Sequence, residues 1–301
     1  MRPASKTTVL TTVALLAFAA NSLLCRSALG ARAIDGASFT LVRLASGALV
    51  LAALVRLRRS EPAAHASAAP TSTAEVAAPL ALFAYAMAFS LAYLRLTTAT
   101  GALVLFGSVQ IPMIVAGLRA GERPRAPVWL GAAMALAGLV GLTFPGLGAP
   151  DPLGAPLMAL AGAAWGVYSL RGRGAHDPLA ATARNFARAV PLAVIAFAIA
   201  IAMSRTASLT APGNLVTRAH VSARGILLAA SSGTIASGLG YAVWYSALRG
   251  LTATRAAIVQ LAVPVIAAIG GVALLGEPIG ARLVVAAAAI LGGVGLAVLG
   301  R

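Results

Sequence analysis

The chain has 301 residues, of which 60% are hydrophobic and only 10% charged, and its mean hydropathy is +0.91; soluble domains are about 45–50% apolar and about 25% charged. A water-soluble globule is therefore excluded. At about 20 apolar residues per span, the length accommodates roughly ten membrane helices with short connections and no separate soluble domain. The formal charge of +16 is distributed between apolar runs rather than over a hydrophilic surface, which argues against nucleic acid as a partner. The lone Cys25 and the isolated His65, His176 and His220 provide neither a disulfide nor metal-ligand spacing, so no metal and no cofactor are expected.

Apolar runs bounded by Arg, Pro, Gly or polar clusters predict spans at 7–29, 34–57, 76–95, 97–118, 126–145, 152–171, 179–203, 221–248, 252–274 and 281–300. The third and fourth spans nearly touch, which implies a tight hairpin at 95–97, and only the connections 60–74 and 204–220 are long. Arg2 and Lys6 ahead of an apolar run, followed by Ala31-Arg32-Ala33, have the look of a signal peptide. The run is longer than a signal core and its residues recur later in the chain, so it is read as the first span. With the N-terminus inside, 13 Lys and Arg residues fall in one set of connections and 7 in the other, which predicts cytoplasmic N- and C-termini.

The same sequence is written twice in outline. A shift of 155 places Leu96-Thr97 on Leu251-Thr252, Val104 on Val259, Gly121-Glu122 on Gly276-Glu277 and Gly138 on Gly293. A shift of 147 places Phe18 on Trp165, Ser22-Leu23 on Ser169-Leu170 and Arg26 on Arg173, and a shift of 145 places Arg43 on Arg188. Five spans per half is an odd number, so the second half enters the membrane from the opposite side. Inverted repeats of this kind let secondary transporters open alternately to either side of a central site. The expected fold is an all-α polytopic membrane protein of ten transmembrane helices, divided into five-helix repeats at 1–147 and 148–301.

Residues 241–279, YAVWYSALRGLTATRAAIVQLAVPVIAAIGGVALLGEPI, resemble the end of the second EamA repeat of the drug/metabolite transporter superfamily. Residues 96–124, with FAANSLLCRSAL and FTLVRLASGAL before them, resemble the first. In the first repeat the proline usually aligned with Pro264 is displaced to Pro112, and Phe18 stands where Trp is more usual. The resemblance covers essentially the whole chain and implies a ten-helix exporter, most similar to bacterial aromatic amino acid exporters of the inner membrane.

Polar groups deep in a bilayer are functional candidates by default. Asn21, Gln110 and Gln260 fall well inside their spans, where an amide serves either the ends of a zwitterion or the cohesion of the bundle. Tyr85, Phe89 and Tyr93 recur every four residues and share a helix face. Together with Trp165, Tyr168, Tyr241, Trp244 and Tyr245, they suit an aromatic pocket or an interfacial belt. The belt is expected for Tyr93, Trp129 and Tyr168 near span ends. Asn21, Tyr85, Phe89, Gln110, Trp165, Tyr241, Trp244 and Gln260 are the candidate substrate-binding residues. Arg43 and Arg188 lie about nine or ten residues, roughly 15 Å, into their spans and are expected to be structural or to contact a substrate carboxylate. Pro112 and Pro264 are candidate helix kinks. Gly138, Gly141, Gly292, Gly293 and Gly295 permit close helix approach in the fifth and tenth spans, with a monomer or weak homodimer expected.

No nucleophile with a base and no paired carboxylates recur within reach of one another, so no enzymatic site is expected. The sequence reads as an exporter of small metabolites, first aromatic and neutral amino acids, with drug-like amphiphiles or purine metabolites as the alternative solutes and a channel or membrane scaffold as the alternative class. The absence of acids and histidines from the deep segments points to facilitated diffusion.

Overall fold

A computed structural model describes residues 3–58, 73–143, 151–210, 220–275 and 281–299. In lipid only internally hydrogen-bonded backbone is stable, and the described residues are accordingly almost all helical. The helices are α1 (Pro3–Leu29), α2 (Gly36–Arg58), α3 (Thr73–Tyr93), α4 (Thr98–Arg119), α5 (Ala126–Thr143), α6 (Gly154–Gly172) and α7 (Pro178–Thr210). Then follow α8 (Ala223–Leu248), whose middle segment Ser232–Leu239 is π-helical, and α9, which runs Ala253–Val259, a 3₁₀ turn Gln260–Ala262, and Val263–Leu275. The last helix is α10 (Ala281–Leu299). Among the described residues six helices are long and apolar enough to cross a membrane. The protein is an all-α polytopic membrane protein.

Helix starts are set by side chains that accept orphan N–H groups. Asp35 accepts from the Ser38 N–H at 2.9 Å, Asp151 from Gly154 at 2.7 Å and Asp177 from Ala180 at 3.2 Å. Ser222 and Thr252 do the same for α8 and the start of α9. Asp35, Asp151 and Asp177 are therefore placed where the helix dipole favours negative charge. The hairpin expected at 95–97 is present, closed by N–H groups of Arg95 and Leu96 on the Ala92 carbonyl.

The core packs α3 and α4 on α6, α2 on α7 and α8, and α1 on α8 and α9, so the largest contacts join the two halves of the chain, with lesser ones of α2 on α3 and α7 on α8 inside a half. Phe18 and Trp165, matched by the shift of 147, touch edge to face with centroids 5.1 Å apart. α5 and α10 pack chiefly on each other. A Cβ on Gly131 would collide with the Gly293 carbonyl oxygen, and one on Gly293 would meet the Gly131 carbonyl oxygen at 2.5 Å. The close approach expected of the fifth and tenth spans is thus made by Gly131 with Gly293, whereas Gly292 and Gly295 face open space.

Candidate functional site

A void of about 10 Å³, little more than the space for one water, lies between α1, α3, α4 and α6, lined by Phe18, Ser22, Tyr85, Phe89, Leu105, Phe106 and Trp165. Ligand pockets are about 300–1,000 Å³, so in this arrangement the aromatic walls are packed together and the space leaves no room for a solute. The helical spacing of Tyr85 and Phe89 puts both rings on one face of α3, 5.2 Å apart. Trp165 of α6 stands across from them, 5.1 Å from Tyr85 and 4.6 Å from Tyr241. Three of the eight candidate substrate residues, Tyr85, Phe89 and Trp165, therefore line the void directly.

Of the others, Asn21, Tyr241 and Gln260 bond to residues that line it, and Trp244 and Gln110 lie farther off. The Asn21 amide donates to Tyr85 Oη at 3.2 Å, and its oxygen accepts from Ser232 Oγ at 2.6 Å and Ser237 Oγ at 3.3 Å. Tyr241 Oη donates to Tyr85 Oη at 3.2 Å. Gln260 Oε1 accepts the Trp165 indole N–H at 2.7 Å and thereby orients that ring. Trp244 is one layer back, donating to Ser169 Oγ at 3.1 Å and packing edge to face on Phe18. Gln110 stays off the void; its amide donates to the Phe106 and Ala257 carbonyls and ties α4 to α9.

Arg43 of α2 is 1% exposed and is the central donor of this cluster. Its Nε donates to Ser237 Oγ at 2.9 Å, its Nη2 to Tyr241 Oη at 2.6 Å and to Tyr85 Oη at 3.2 Å. Arg188, its counterpart in the repeat, is half-buried on α7 and is not among the residues around the void. The two halves are therefore chemically unequal at this position.

The π-helical segment supplies Ser232 and Ser237, five residues apart, to one face; in an α-helix that spacing would turn them away from each other. Neither serine stands out in the sequence, and the only hint is the unusual Ser/Gly density of SSGTIASGLG. Ser22, Leu105 and Phe106 were likewise not singled out as site residues, because small and ordinary apolar side chains carry no chemical signature. Of the two candidate kinks, Pro264 follows the 3₁₀ turn of α9, while Pro112 sits inside an uninterrupted α4, packed where a Cβ on Gly166 would meet its ring at 2.5 Å.

The belt expectation needs correction for two residues. Tyr93 and Tyr168 are both 0% exposed. Tyr93 stacks edge to face on Phe89 at 4.7 Å, and Tyr168 packs on Trp165 at 5.5 Å. Each lies near a helix end, but neighbouring helices cover that end. Trp129, 43% exposed, keeps a surface position.

At the C-terminal end of α4, Glu122 joins the two halves. Gly121, at φ +82°, ends α4 in a left-handed turn that favours glycine. The Glu122 carboxylate then accepts the N–H groups of Ala253 at 2.7 Å and Thr254 at 3.0 Å at the start of α9. It also pairs with Arg173 at 3.2 Å. Burial alone would push this carboxyl up, but the two backbone donors and Arg173 together hold it below the usual carboxylate range. The matching Gly276-Glu277 lies outside the described residues, as do Glu61 and His65. Among the described residues no group of His, Cys, Asp and Glu is placed to hold a metal ion.

Three comparisons bear on this arrangement. The model of the EamA-like transporter family matches residues 152–299. An uncharacterized protein of Pseudomonas aeruginosa is 50% identical over 294 residues, 98% of this chain and 95% of its own. A solved crystal structure, 21% identical and covering 98% of both chains, superposes with a TM-score of 0.72, which speaks to the fold. The helical bundle, the family match and the near full-length relative agree: the chain belongs to the EamA-like transporter family, membrane transporters of small molecules.

Proposed function

We propose that the protein exports aromatic and other neutral amino acids across the bacterial inner membrane, with both termini cytoplasmic, by alternating access between the repeats 1–147 and 148–301. The observation that carries the reading is the small aromatic-walled space at the contact of the two halves, walled by Phe18, Tyr85, Phe89 and Trp165 and backed by the hydroxyl and amide groups of Tyr241, Asn21 and Gln260. Aromatic walls select a planar apolar side chain through ring contacts. The convergent polar groups serve the charged ends of an amino acid. Glu122 and Arg173 act as the cytoplasmic closure, joining the α4–α5 turn to the start of α9 and the end of α6.

Uptake of a panel of labelled solutes into proteoliposomes tests the assignment. Saturable movement of phenylalanine and tryptophan, with mutual competition and counterflow, is the expected result. If purines or cationic amphiphiles move while these two amino acids neither move nor compete, the solute class is wrong. Rapid, non-saturating flux would instead identify a channel.

A further inference from the structure

Among the described residues, the bundle buries a guanidinium with no anion beside it. Every hydrogen-bond partner of Arg43 among the described residues is a neutral hydroxyl, from Ser237, Tyr85 and Tyr241. Its Nη1 is buried with no hydrogen-bond partner. The carboxylates of Asp35, Glu122, Asp151 and Asp177 are all engaged at helix N-termini. An unpaired cation in a low-dielectric interior is costly, which makes such a residue a site to be completed by an anion.

A count of hydrogens sharpens the argument. Tyr85 Oη is approached by three donors, Asn21 Nδ2, Arg43 Nη2 and Tyr241 Oη, each at 3.2 Å. The bond between the two tyrosines uses one of their two phenolic protons and leaves the other without an acceptor in the cluster. The Asn21 oxygen is already taken by Ser232 and Ser237. The cluster thus holds a full positive charge with an unused guanidinium N–H and a phenolic O–H to spare, and no anion among its members. Its chemical complement is an acceptor-only anion of two oxygens, the group that an arginine fork binds in bidentate fashion. The void lies next to it: the Arg43 guanidinium carbon is 5.2 Å from the centroids of both Tyr85 and Phe89, and both rings line the void.

We propose that Arg43, with the hydroxyls of Tyr85 and Tyr241, forms the subsite for the carboxylate of the transported solute, while the aromatic wall takes its apolar part. The solute class is then an aromatic or apolar carboxylate, not an amine or a neutral amphiphile. The Tyr85 ring stands between the guanidinium and the void and borders both. This inference rests on reading the void as the transport site.

The test is ligand-dependent thermal unfolding of the purified full-length protein with 3-phenylpropionate, its neutral isostere 3-phenylpropanol, and 2-phenylethylamine. The carboxylate is expected to bind at least about tenfold more tightly than the other two, as a charge-assisted pair warrants. That ratio falls toward one in Arg43→Gln, and falls in part in Arg43→Lys and Tyr85→Phe. Equal stabilisation by carboxylate and alcohol, stabilisation by none of the three, or a ratio unchanged in Tyr85→Phe overturns the subsite, and the last readout stands even if the Arg43 variants fail to fold. Stabilisation by sodium chloride equal to that by the carboxylate, with the same dependence on Arg43, identifies a simple anion site and overturns the solute class. Proteoliposome uptake separates the two readings: a carboxylate ratio without any uptake defeats the export reading alone, and uptake with a flat ratio defeats the subsite alone.

Discussion

Asn21 concentrates the consequences of a polar side chain in a packed apolar interior. It donates to Tyr85 and accepts from two serines of α8, so Asn21→Leu strands the Ser232 and Ser237 hydroxyls and removes a donor from Tyr85. A loss of about 1–3 kcal/mol of stability per stranded group is expected, read as a lowered midpoint in thermal unfolding of the detergent-solubilised protein. Asn21→Asp keeps the acceptor for both serines and sets a carboxylate beside Arg43. That variant should fold and lose the stabilisation by 3-phenylpropionate, because the anion is then built in; undiminished stabilisation would contradict this account. The amide was legible in the sequence as a deep polar residue. Its partners were not, since a serine contributes to a network only through the helix that aims it. Tyr93 and Tyr168 illustrate the converse: position near a span end suggested the membrane interface, and packing against Phe89 and Trp165 placed both in the core.

At the scale of elements, α8 and α9 are the helices whose regularity is interrupted, by the π segment Ser232–Leu239 and the 3₁₀ turn Gln260–Ala262. Both interruptions present site residues, Ser237 and Gln260. The π segment is held against α2 by Gly233, where an added Cβ would collide with the Arg43 carbonyl and Ser46 Oγ. Gly233→Ala should push α2 away from α8 and destabilise by about 1–3 kcal/mol, and a further loss of carboxylate binding should accompany it because Arg43 moves with its backbone. Normal stability with normal binding would show that the contact relaxes freely. Glu122 gives a pH-dependent element. Its carboxyl lies below the usual range in the closed arrangement, so the closure is at full strength above the ordinary value of 4.5 and is lost as pH falls through the lowered value. Labelling of a cysteine introduced at Thr252, with each sample held at the test pH and the rate divided by that of a free thiol at the same pH, should therefore rise on acidification when Glu122 is present and be high and flat with pH in Glu122→Gln. A pH-independent wild type would remove Glu122 from the closure.

For the whole molecule, the acids whose side chains are described stand at helix N-termini and none faces the void, which leaves no proton-binding group there to link solute movement to a gradient. With equal solute on both sides of a proteoliposome membrane, an imposed pH or sodium gradient is expected to cause exchange without accumulation; accumulation driven by either would refute facilitated diffusion. The sequence by itself determined the number and order of helices, the tight hairpin at 95–97, the paired registers and the residue types available for a site, because apolar run length, helix caps and repeated motifs are local properties. Spacing and chemistry also put forward Tyr85, Phe89 and Trp165, which the fold sets around one void. The tertiary structure alone decided that Arg43 and Arg188 are not equivalent, that Gly131 rather than Gly292 or Gly295 faces Gly293, that Gln110 ties helices while Asn21 joins the cluster around Arg43, and that Glu122 reaches α9. Each of these depends on which surfaces meet across the two halves, and an approximate repeat leaves that to a few ångströms of helix rotation and to the extra residue of a π turn.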